Sequence, residues 1–591
     1  MSSENASAGT ADAVESEANP SGEASPQVLR DRELLQTAQA EGKTLRAFVK
    51  LSGPGWLQSA ITLGGGSLAG SLFLGVLGGT GLLWLQLVAI VMGVIMLSAI
   101  SHVTLSTGRR PFEAINREIN PALGWGWLIA TAAANIIWCM PQFSLSYDAL
   151  DKNLLATADG PGLGDADGTK WMVSAILLVA AGFVVLLNVR QGKAAKFFDL
   201  FLKALIGMVV ICFFGVAILL FAKGQIDFGA VIAGLIPNLS QWTQPTGSMQ
   251  AIIGGLPTDA AEYWQAQLVS NQRTVMIAAA ATAVGINMTF LLPYSMLARG
   301  WDKPFRGLAK FDLSTGMAIP YIVVTSCVVI AAASSFHGKI DEKLASESLA
   351  EMQESPMYGG AEAILLKRID NQLGDAAETT SSEEKLEMLA ALPRDEKVLA
   401  SALIKRNAFE LSQTLAPLLG PDLAKWVFGL GVFGMGFSTI IILMLINGYA
   451  FREMMGQPDG TAPFVLGVLV AGFAGASWVV VWNSDAKVWL AIFASTFGAM
   501  LLPIAYVTFF LMMNSRRILG SDMPTGASRL VWNVLMGVSV AGAIVAAGTA
   551  IYDKANDPTA FPIVIGLLVI YTIAIVLGFV MRKPSDIASG V

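Results

Sequence analysis

Long apolar stretches separated by short polar connections dominate the chain from Phe48 onward. Each stretch is about long enough to cross a hydrocarbon core of ~30 Å at ~1.5 Å per residue. The pattern predicts twelve membrane-spanning helices, near residues 52–77, 81–105, 124–147, 171–189, 197–222, 274–297, 313–335, 424–450, 462–482, 488–513, 529–551 and 561–581. We therefore expect an all-α polytopic membrane protein.

The two ends and one long connection depart from this pattern. Residues 1–47 are rich in Ala, Ser, Glu and Gly, a composition typical of a disordered tail. Residues 48–582 form the predicted membrane domain, and residues 583–591 form a short C-terminal tail. Within the domain, residues 337–423 form a charged insert with helical periodicity between the seventh and eighth spans, and we expect it on the extracytoplasmic side. This insert is either a small helical cap or a solvated connection with short helices, and we favour the second because such segments usually carry no site of their own.

Composition and charge support a membrane protein with cytoplasmic ends. Hydrophobic residues make up 54% of the chain and charged residues 14%, whereas soluble domains have roughly 25% charged residues. Basic residues concentrate on alternate connections, for example Arg109 and Arg110 after the second span and Arg516 and Arg517 after the tenth. The positive-inside rule then places both termini in the cytoplasm, in an inner or plasma membrane.

The sequence contains no constellation expected of an enzyme. Its two histidines, His102 and His337, are predicted on opposite sides of the membrane, and no phosphate-binding glycine loop followed by Lys and Ser or Thr occurs. We expect no catalytic activity, no cofactor and no nucleic-acid partner. The expected partners are the lipid bilayer and a small ion or solute, and the sequence does not indicate an oligomeric state.

Two spans contain helix breakers at membrane depth. The first contains Gly64, Gly65 and Gly66 in succession, and glycine destabilises a helix interior by about 1 kcal/mol relative to Ala. The sixth contains Pro293, which removes a backbone hydrogen bond. Spans one and six begin two consecutive groups of five, and paired interruptions at matching places indicate an inverted-repeat secondary transporter. We therefore predict a five-plus-five inverted repeat of LeuT-like architecture with broken helices 1 and 6.

Several motifs at matching positions resemble the Nramp (natural resistance-associated macrophage protein) type of divalent metal transporters. They are Gly53-Pro54-Gly55-Trp56, Leu83-Trp84, Thr107-Gly108 followed by Glu113 and Arg117-Glu118, Leu292-Pro293-Tyr294 in place of Met-Pro-His, Gly434 to Ser438-Thr439, and Leu502-Pro503 followed by Arg516-Arg517. The resemblance covers most of residues 50–582. It implies cation transport by alternating access, with Mg²⁺, Mn²⁺ or Fe²⁺ as the expected type of substrate.

The usual metal ligands of that family are replaced in this sequence. Gly64-Gly65-Gly66-Ser67 stands where the family has Asp-Pro-Gly-Asn, so Gly64 and Ser67 replace a carboxylate and a carboxamide. Leu292 replaces the methionine ligand and Tyr294 the neighbouring histidine. In approximate alignment, Met140 and Phe143 stand where span three has acidic residues that serve proton movement, and the glutamine of span ten falls near Ser495.

Backbone groups and neutral side chains at the breaks form the predicted substrate site. The candidate residues are Leu63, Gly64, Gly65, Gly66, Ser67, Asn287, Thr289, Leu291, Leu292, Pro293 and Tyr294. Unwound carbonyls around Leu63, Gly64 and Leu291 would face a hydrated cation. Free N–H groups of Gly65, Gly66 and Ser67 would instead favour an anion, as in transporters of amino acids or other small polar solutes.

Two further predictions accompany this site. A non-transporting sensor or receptor derived from a transporter is the alternative of another class, because the expected ligands are missing. Glu113 and Arg117 have the i,i+4 spacing of a helical ion pair, and we expect them at a helix end or a gate on the cytoplasmic side.

Overall fold

The chain folds into a bundle of α-helices, and no β-strand occurs among the residues that the structure describes. A computed structural model describes residues 26–157, 160–189, 193–406, 409–412, 416, 420–481, 487–555 and 561–581. The helices before the sixth span are α1 Pro26–Ala40, α2 Thr44–Leu51, α3 Pro54–Thr62, α4 Gly65–Gly78, α5 Leu83–Thr107, α6 Pro111–Glu118, α7 Pro121–Asp148, α8 Asp167–Val189, α9 Lys193–Ala222, α10 Phe228–Gly234 and α11 Gly247–Ile253.

The remaining helices include the second group of five spans and the insert between the seventh and eighth spans. They are α12 Thr258–Ala283, α13 Ile286–Ala298, α14 Arg306–Asp312, α15 Ile319–Phe336, α16 Leu349–Gln353, α17 Tyr358–Leu373, α18 Ser382–Ala390, α19 Arg394–Leu403, α20 Pro421–Met454, α21 Thr461–Ala476, α22 Trp478–Val481, α23 Lys487–Met513, α24 Arg516–Leu519, α25 Gly526–Ala555 and α26 Phe561–Val580. Short π-helical turns continue α7 through Leu154 and join α14 to α15.

The number of membrane crossings agrees with the hydropathy pattern except at the last predicted span. Ten helical stretches of the described chain are long and apolar enough to cross a membrane. The pair α3 and α4, bent by 51°, makes an eleventh crossing. At the twelfth predicted span lies α26, whose apolar part Val564–Val580 is shorter than the others. A count of twelve therefore stays a prediction.

The described part of the predicted N-terminal tail is helical and packs against the membrane domain. Leu35 in α1 is fully buried, and Arg32 forms an ion pair with Asp302 in the connection after α13. The ring of Phe48 in α2 lies 5.3 Å from that of Phe311. Residues 26–47 thus bury apolar surface that composition alone does not reveal. The expected disorder is therefore wrong for residues 26–47. Residues 1–25 and 582–591 lie outside the described chain, so the disorder of residues 1–25 stays a prediction.

The long insert between α15 and α20 contains a folded helical cap with a buried polar network. Leu365 in α17 and Leu399 in α19 are fully buried. Arg368 Nε lies 2.8 Å from Glu396 Oε2, and the same oxygen accepts a hydrogen bond of 2.8 Å from Trp264 Nε1 in α12. The described part of the insert is therefore a folded helical cap. The interpretation favoured from the sequence was the other one, a solvated connection with short helices.

The two halves of the first span lie at the centre of the bundle. Helix α4 packs against α7, α12, α15, α20 and α23, and α3 packs against α9, α13 and α20. These neighbours come from both groups of five spans. The break between α3 and α4 is therefore surrounded by protein, the condition under which irregular backbone is tolerated at membrane depth.

Candidate functional site

The first break occurs at the glycine triplet, as the sequence predicts. Helix α3 ends at Thr62, and α4 begins at Gly65. Hydroxyl groups satisfy carbonyls that the break leaves without helical partners: Ser67 donates to the Thr62 carbonyl, and Thr439 Oγ1 in α20 donates to the Ala60 carbonyl at 3.0 Å. The interruption is thus an ordered feature held by polar side chains.

Close approach of neighbouring helices explains why three glycines occur here. A Cβ atom added at Gly64 would lie 2.6 Å from Thr439 Oγ1, and one at Gly66 would lie 2.8 Å from Thr282 Cγ2. A Cβ at Gly65 would lie 2.7 Å from a methyl carbon of Leu145. Each distance is shorter than a real Cβ contact, so the triplet allows α7, α12 and α20 to approach the break.

The second break lies earlier than the sequence predicts. Helix α12 ends at Ala283 and α13 begins at Ile286, so the interruption is at Val284 and Gly285. Pro293 lies inside α13, where loss of one helical hydrogen bond does not end the helix. A Cβ at Gly285 would lie 2.4 Å from the Trp138 ring. The expectation of an unwound Leu291 carbonyl is therefore wrong, because Leu291 is helical.

A small cavity joins the two breaks. Its volume is about 30 Å³, which is room for a water molecule or two. Four of the predicted site residues line it: Gly64, Gly66, Ser67 and Asn287. The remaining lining residues are Ile61, Trp138, Pro141, Gln142, Ala281, Thr282, Gly285, Met288, Thr439, Leu443, Ala491 and Ser495.

The other predicted residues do not line this cavity. Leu63 and Gly65 belong to the first break, with Leu63 buried beside it. Four more residues are buried along α13, namely Leu291, Leu292, Pro293 and Tyr294. Thr289 also lies on α13, and its hydroxyl accepts a hydrogen bond of 2.9 Å from Trp127 Nε1. The prediction extended too far along α13 because it centred the second break on Pro293.

Helix α7 contributes a cavity residue, Gln142, that is not among the predicted substrate-site residues. The Oε1 atom of Gln142 accepts a hydrogen bond of 2.8 Å from the Gly65 backbone N–H. A glutamine directly after Pro141 in an apolar span was a usable signal, because a buried amide must find a partner. Gln142 thus ties α7 to the first turn of α4.

A chain of asparagines crosses the bundle beside the cavity. Asn287 Nδ2 donates to Asn135 Oδ1, and Asn135 Nδ2 donates to Asn447 Oδ1, both at 3.1 Å. Asn287 Oδ1 is buried without a hydrogen-bond partner among the described residues, and so are both polar atoms of the Gln58 side chain. Buried amide atoms of this kind mark places where a water or a ligand completes the hydrogen bonding.

The cavity is electrically neutral. None of its lining residues is Asp, Glu, His, Lys or Arg. Across the described residues, no group of three or more His, Cys, Asp or Glu side chains is placed to hold a metal ion. At the family's ligand positions, Gly64 and Ser67 line the cavity, whereas Leu292 is buried elsewhere in α13. The donors available are hydroxyl, amide and backbone oxygens and the thioether sulfur of Met288.

The predicted Glu113–Arg117 pair is present in α6. Arg117 Nη1 lies 3.0 Å from Glu113 Oε1. Arg110, next to this helix, lies 2.8 Å from Glu453 near the end of α20. Arg110 also lies 3.5 Å from Glu113, so it connects the short α6 to the long α20. A role in gating stays a prediction.

Two solved structures with similar folds are both of a manganese transporter from Eremococcus coleocola. The complex with an aromatic bis-isothiourea compound has a TM-score of 0.57 at 15% identity and covers 91% of this chain and 95% of the other. A histidine-to-alanine mutant has a TM-score of 0.54 at 14% identity with the same coverage. These similarities confirm the predicted fold class. No curated protein matches the sequence.

The family comparison covers nearly the whole membrane domain. The family described as "Natural resistance-associated macrophage protein-like" matches residues 55–366 and 397–582. Residues 367–396, inside the helical cap, fall between the two matched segments. The resemblance inferred from the motifs is thereby confirmed, and the chain belongs to the Nramp family.

Proposed function

We propose that this protein is a secondary transporter that carries a partly hydrated divalent cation, with Mg²⁺ as the preferred type, by alternating access around the two breaks. The observation that carries the proposal is the neutral cavity between α4 and α13. The manganese transporters with the same fold support a metal ion as the substrate.

The chemistry of the lining favours a cation that keeps water ligands. Mg²⁺ prefers oxygen ligands and loses its water reluctantly. Ser67, Asn287 and Thr439 offer neutral oxygens, which suit a hard cation. The soft donor of the lining, the Met288 thioether, already accepts a hydrogen bond of 3.4 Å from Thr62 Oγ1. The cavity of about 30 Å³ is too small for a hydrated ion, so α3 or α4 must move during transport. The described arrangement then corresponds to a closed state.

The amino-acid alternative depends on free N–H groups at the start of α4. One of them, from Gly65, already donates to Gln142 Oε1. A substrate carboxylate would have to displace that amide oxygen. The cation proposal requires no such displacement, because Gln142 orients the loop while other oxygens face the cavity.

The proposed orientation places the described ends of the chain on the cytoplasmic side of an inner or plasma membrane. Helix α1 contacts the connection after α13, and the C-terminal end of α26 contacts Asn120 at the start of α7. Both contacts lie at connections rich in basic residues, which favour the cytoplasmic side.

The function is tested with the purified full-length chain in liposomes. Mg²⁺, Mn²⁺ or radiolabelled alanine is supplied outside, with an interior-negative potassium diffusion potential, and uptake is compared with protein-free liposomes. We expect saturable Mg²⁺ uptake that Mn²⁺ inhibits. Uptake of alanine without metal uptake would replace the proposal with the amino-acid alternative. Binding detected by thermal stabilisation without flux of any of the three would favour the sensor alternative.

A further inference from the structure

A large groove lies away from the central cavity, on the face that carries the described ends of the chain. Its volume is about 510 Å³. It is formed where α23 ends, around α24 and the start of α25, beside the end of α26 and the α6–α7 connection. The lining residues are Glu118, Ile119, Leu511, Asn514, Ser515, Arg516, Arg517, Met523, Arg529 and Phe579.

Three arginines give the groove a positive charge. Arg516, Arg517 and Arg529 are all exposed, and none forms a salt bridge with an acidic side chain in the described part of the chain. Asn514 Oδ1 accepts a hydrogen bond of 3.3 Å from Arg529 Nε. The carboxylate in the lining, that of Glu118, lies 3.6 Å from Arg109. The three guanidinium groups are therefore available to an anion.

The groove is also lined by apolar side chains, and exposed apolar residues lie beside it. Ile119, Leu511, Met523 and Phe579 line it. Phe579 is 46% exposed, and Leu530, next to Arg529, is 67% exposed. In a membrane-spanning bundle such side chains face acyl chains, so charged and apolar surfaces meet at the level of the lipid headgroups.

We propose that this groove binds a phosphate-bearing anion, the headgroup of an anionic phospholipid. Guanidinium groups bind phosphate oxygens through paired hydrogen bonds and stay charged at every physiological pH. The apolar lining residues accommodate the first part of the lipid's acyl chains. A free phosphate has no acyl chain and would leave these residues without a partner. Because the groove joins α23, which contributes Ser495 to the central cavity, to α25 and α26, a bound lipid would hold these three helices together.

The test uses the full-length protein in a neutral detergent and two phosphate probes. Binding of phosphatidylglycerol is measured by native mass spectrometry against phosphatidylcholine, and binding of soluble glycerol 3-phosphate by calorimetry. The variant R516Q/R517Q/R529Q removes the arginines of the groove. The control K43Q/R46Q/K50Q removes the same number of charges from the N-terminal helices on the same face.

We expect phosphatidylglycerol affinity to fall about a hundredfold in the groove variant, at ~1 kcal/mol per basic residue and ~1.4 kcal/mol per tenfold. The control should retain most of the affinity. Binding of phosphatidylglycerol without glycerol 3-phosphate assigns the groove to a lipid, and equal binding of both assigns it to free phosphate compounds. Equal losses in the groove variant and the control, or no loss in either, would overturn the proposal.

Discussion

Adding one methyl group at Gly66 tests whether the cavity between the breaks lies on the transport path. A Cβ there would lie 2.8 Å from Thr282 Cγ2 and 2.9 Å from Ser495 Oγ. Overpacking of this kind costs about 1–3 kcal/mol, and the gain in helix propensity from Gly to Ala offsets about 1 kcal/mol of it. The Gly66→Ala protein should therefore fold with a free energy of unfolding lowered by about 2 kcal/mol at most.

Transport should suffer more than stability. The methyl occupies the wall of a cavity of only about 30 Å³, and we expect the initial rate of Mg²⁺ uptake into liposomes to fall at least tenfold, or about 1.4 kcal/mol. Because Thr282 Cγ2 is the nearest atom, the double variant G66A/T282S should recover part of both the stability and the rate.

A matched control separates packing from the cavity. Gly70 lies one turn further along α4, where an added Cβ would lie 3.0 Å from Ala279, and Gly70 does not line the cavity. Gly70→Ala should lower the free energy of unfolding while preserving the uptake rate. If Gly66→Ala transports at the wild-type rate, or if both variants lose transport equally, the cavity is not the substrate site.

Three further predictions concern polar contacts outside the cavity. Asp312→Asn should lower the free energy of unfolding by about 1.5–3 kcal/mol in denaturant melts, because this buried carboxylate accepts a hydrogen bond of 2.6 Å from the Gly55 N–H at the start of α3. Glu396→Gln should lower the free energy of unfolding by about 1.5–3 kcal/mol, because it removes the closer carboxylate partner of the buried Arg368 and leaves the more distant Asp259 at 3.2 Å, and limited proteolysis should then cut the helical cap faster. Burial lowers the pKa of His337 below its usual range, so the folded state binds this proton more weakly than the unfolded state, and stability should fall as the pH drops below ~6.5. Thermal unfolding of His337→Gln should lack that part of the pH dependence.

The first break was predictable from the sequence because its cause is local. Three glycines inside an apolar stretch weaken a helix wherever they occur, and the structure interrupts the helix at Gly64. The second break has a non-local cause. Pro293 removes one hydrogen bond and stays helical, whereas Gly285 contacts the Trp138 ring of a distant helix. A sequence shows which residue disfavours a helix. It does not show where packing against a distant helix requires a break.

The folded structure of the helical cap was not predicted, for a related reason. Its sequence is charged, and a charged segment usually remains solvated. Here Arg368 and Glu396 pair with each other inside the cap, and Trp264 of α12 bonds to the same carboxylate. Such a network needs partners that are far apart in the chain, so its existence follows from the tertiary structure rather than from periodicity.

The charge of the central site determines which step of transport responds to the membrane potential. A carrier whose empty site has no charge gains two charges when it takes up a divalent cation, so the membrane potential acts on the loaded form. At ~2.3 kcal/mol per charge per 100 mV, this amounts to about 4.6 kcal/mol, or a concentration ratio of about 2,000. That driving force suffices without coupled protons, which agrees with Met140 and Phe143 standing where the family's proton-carrying acids lie in approximate alignment. We therefore expect uptake to follow the imposed potential, and a proton flux in step with Mg²⁺ uptake would contradict this argument.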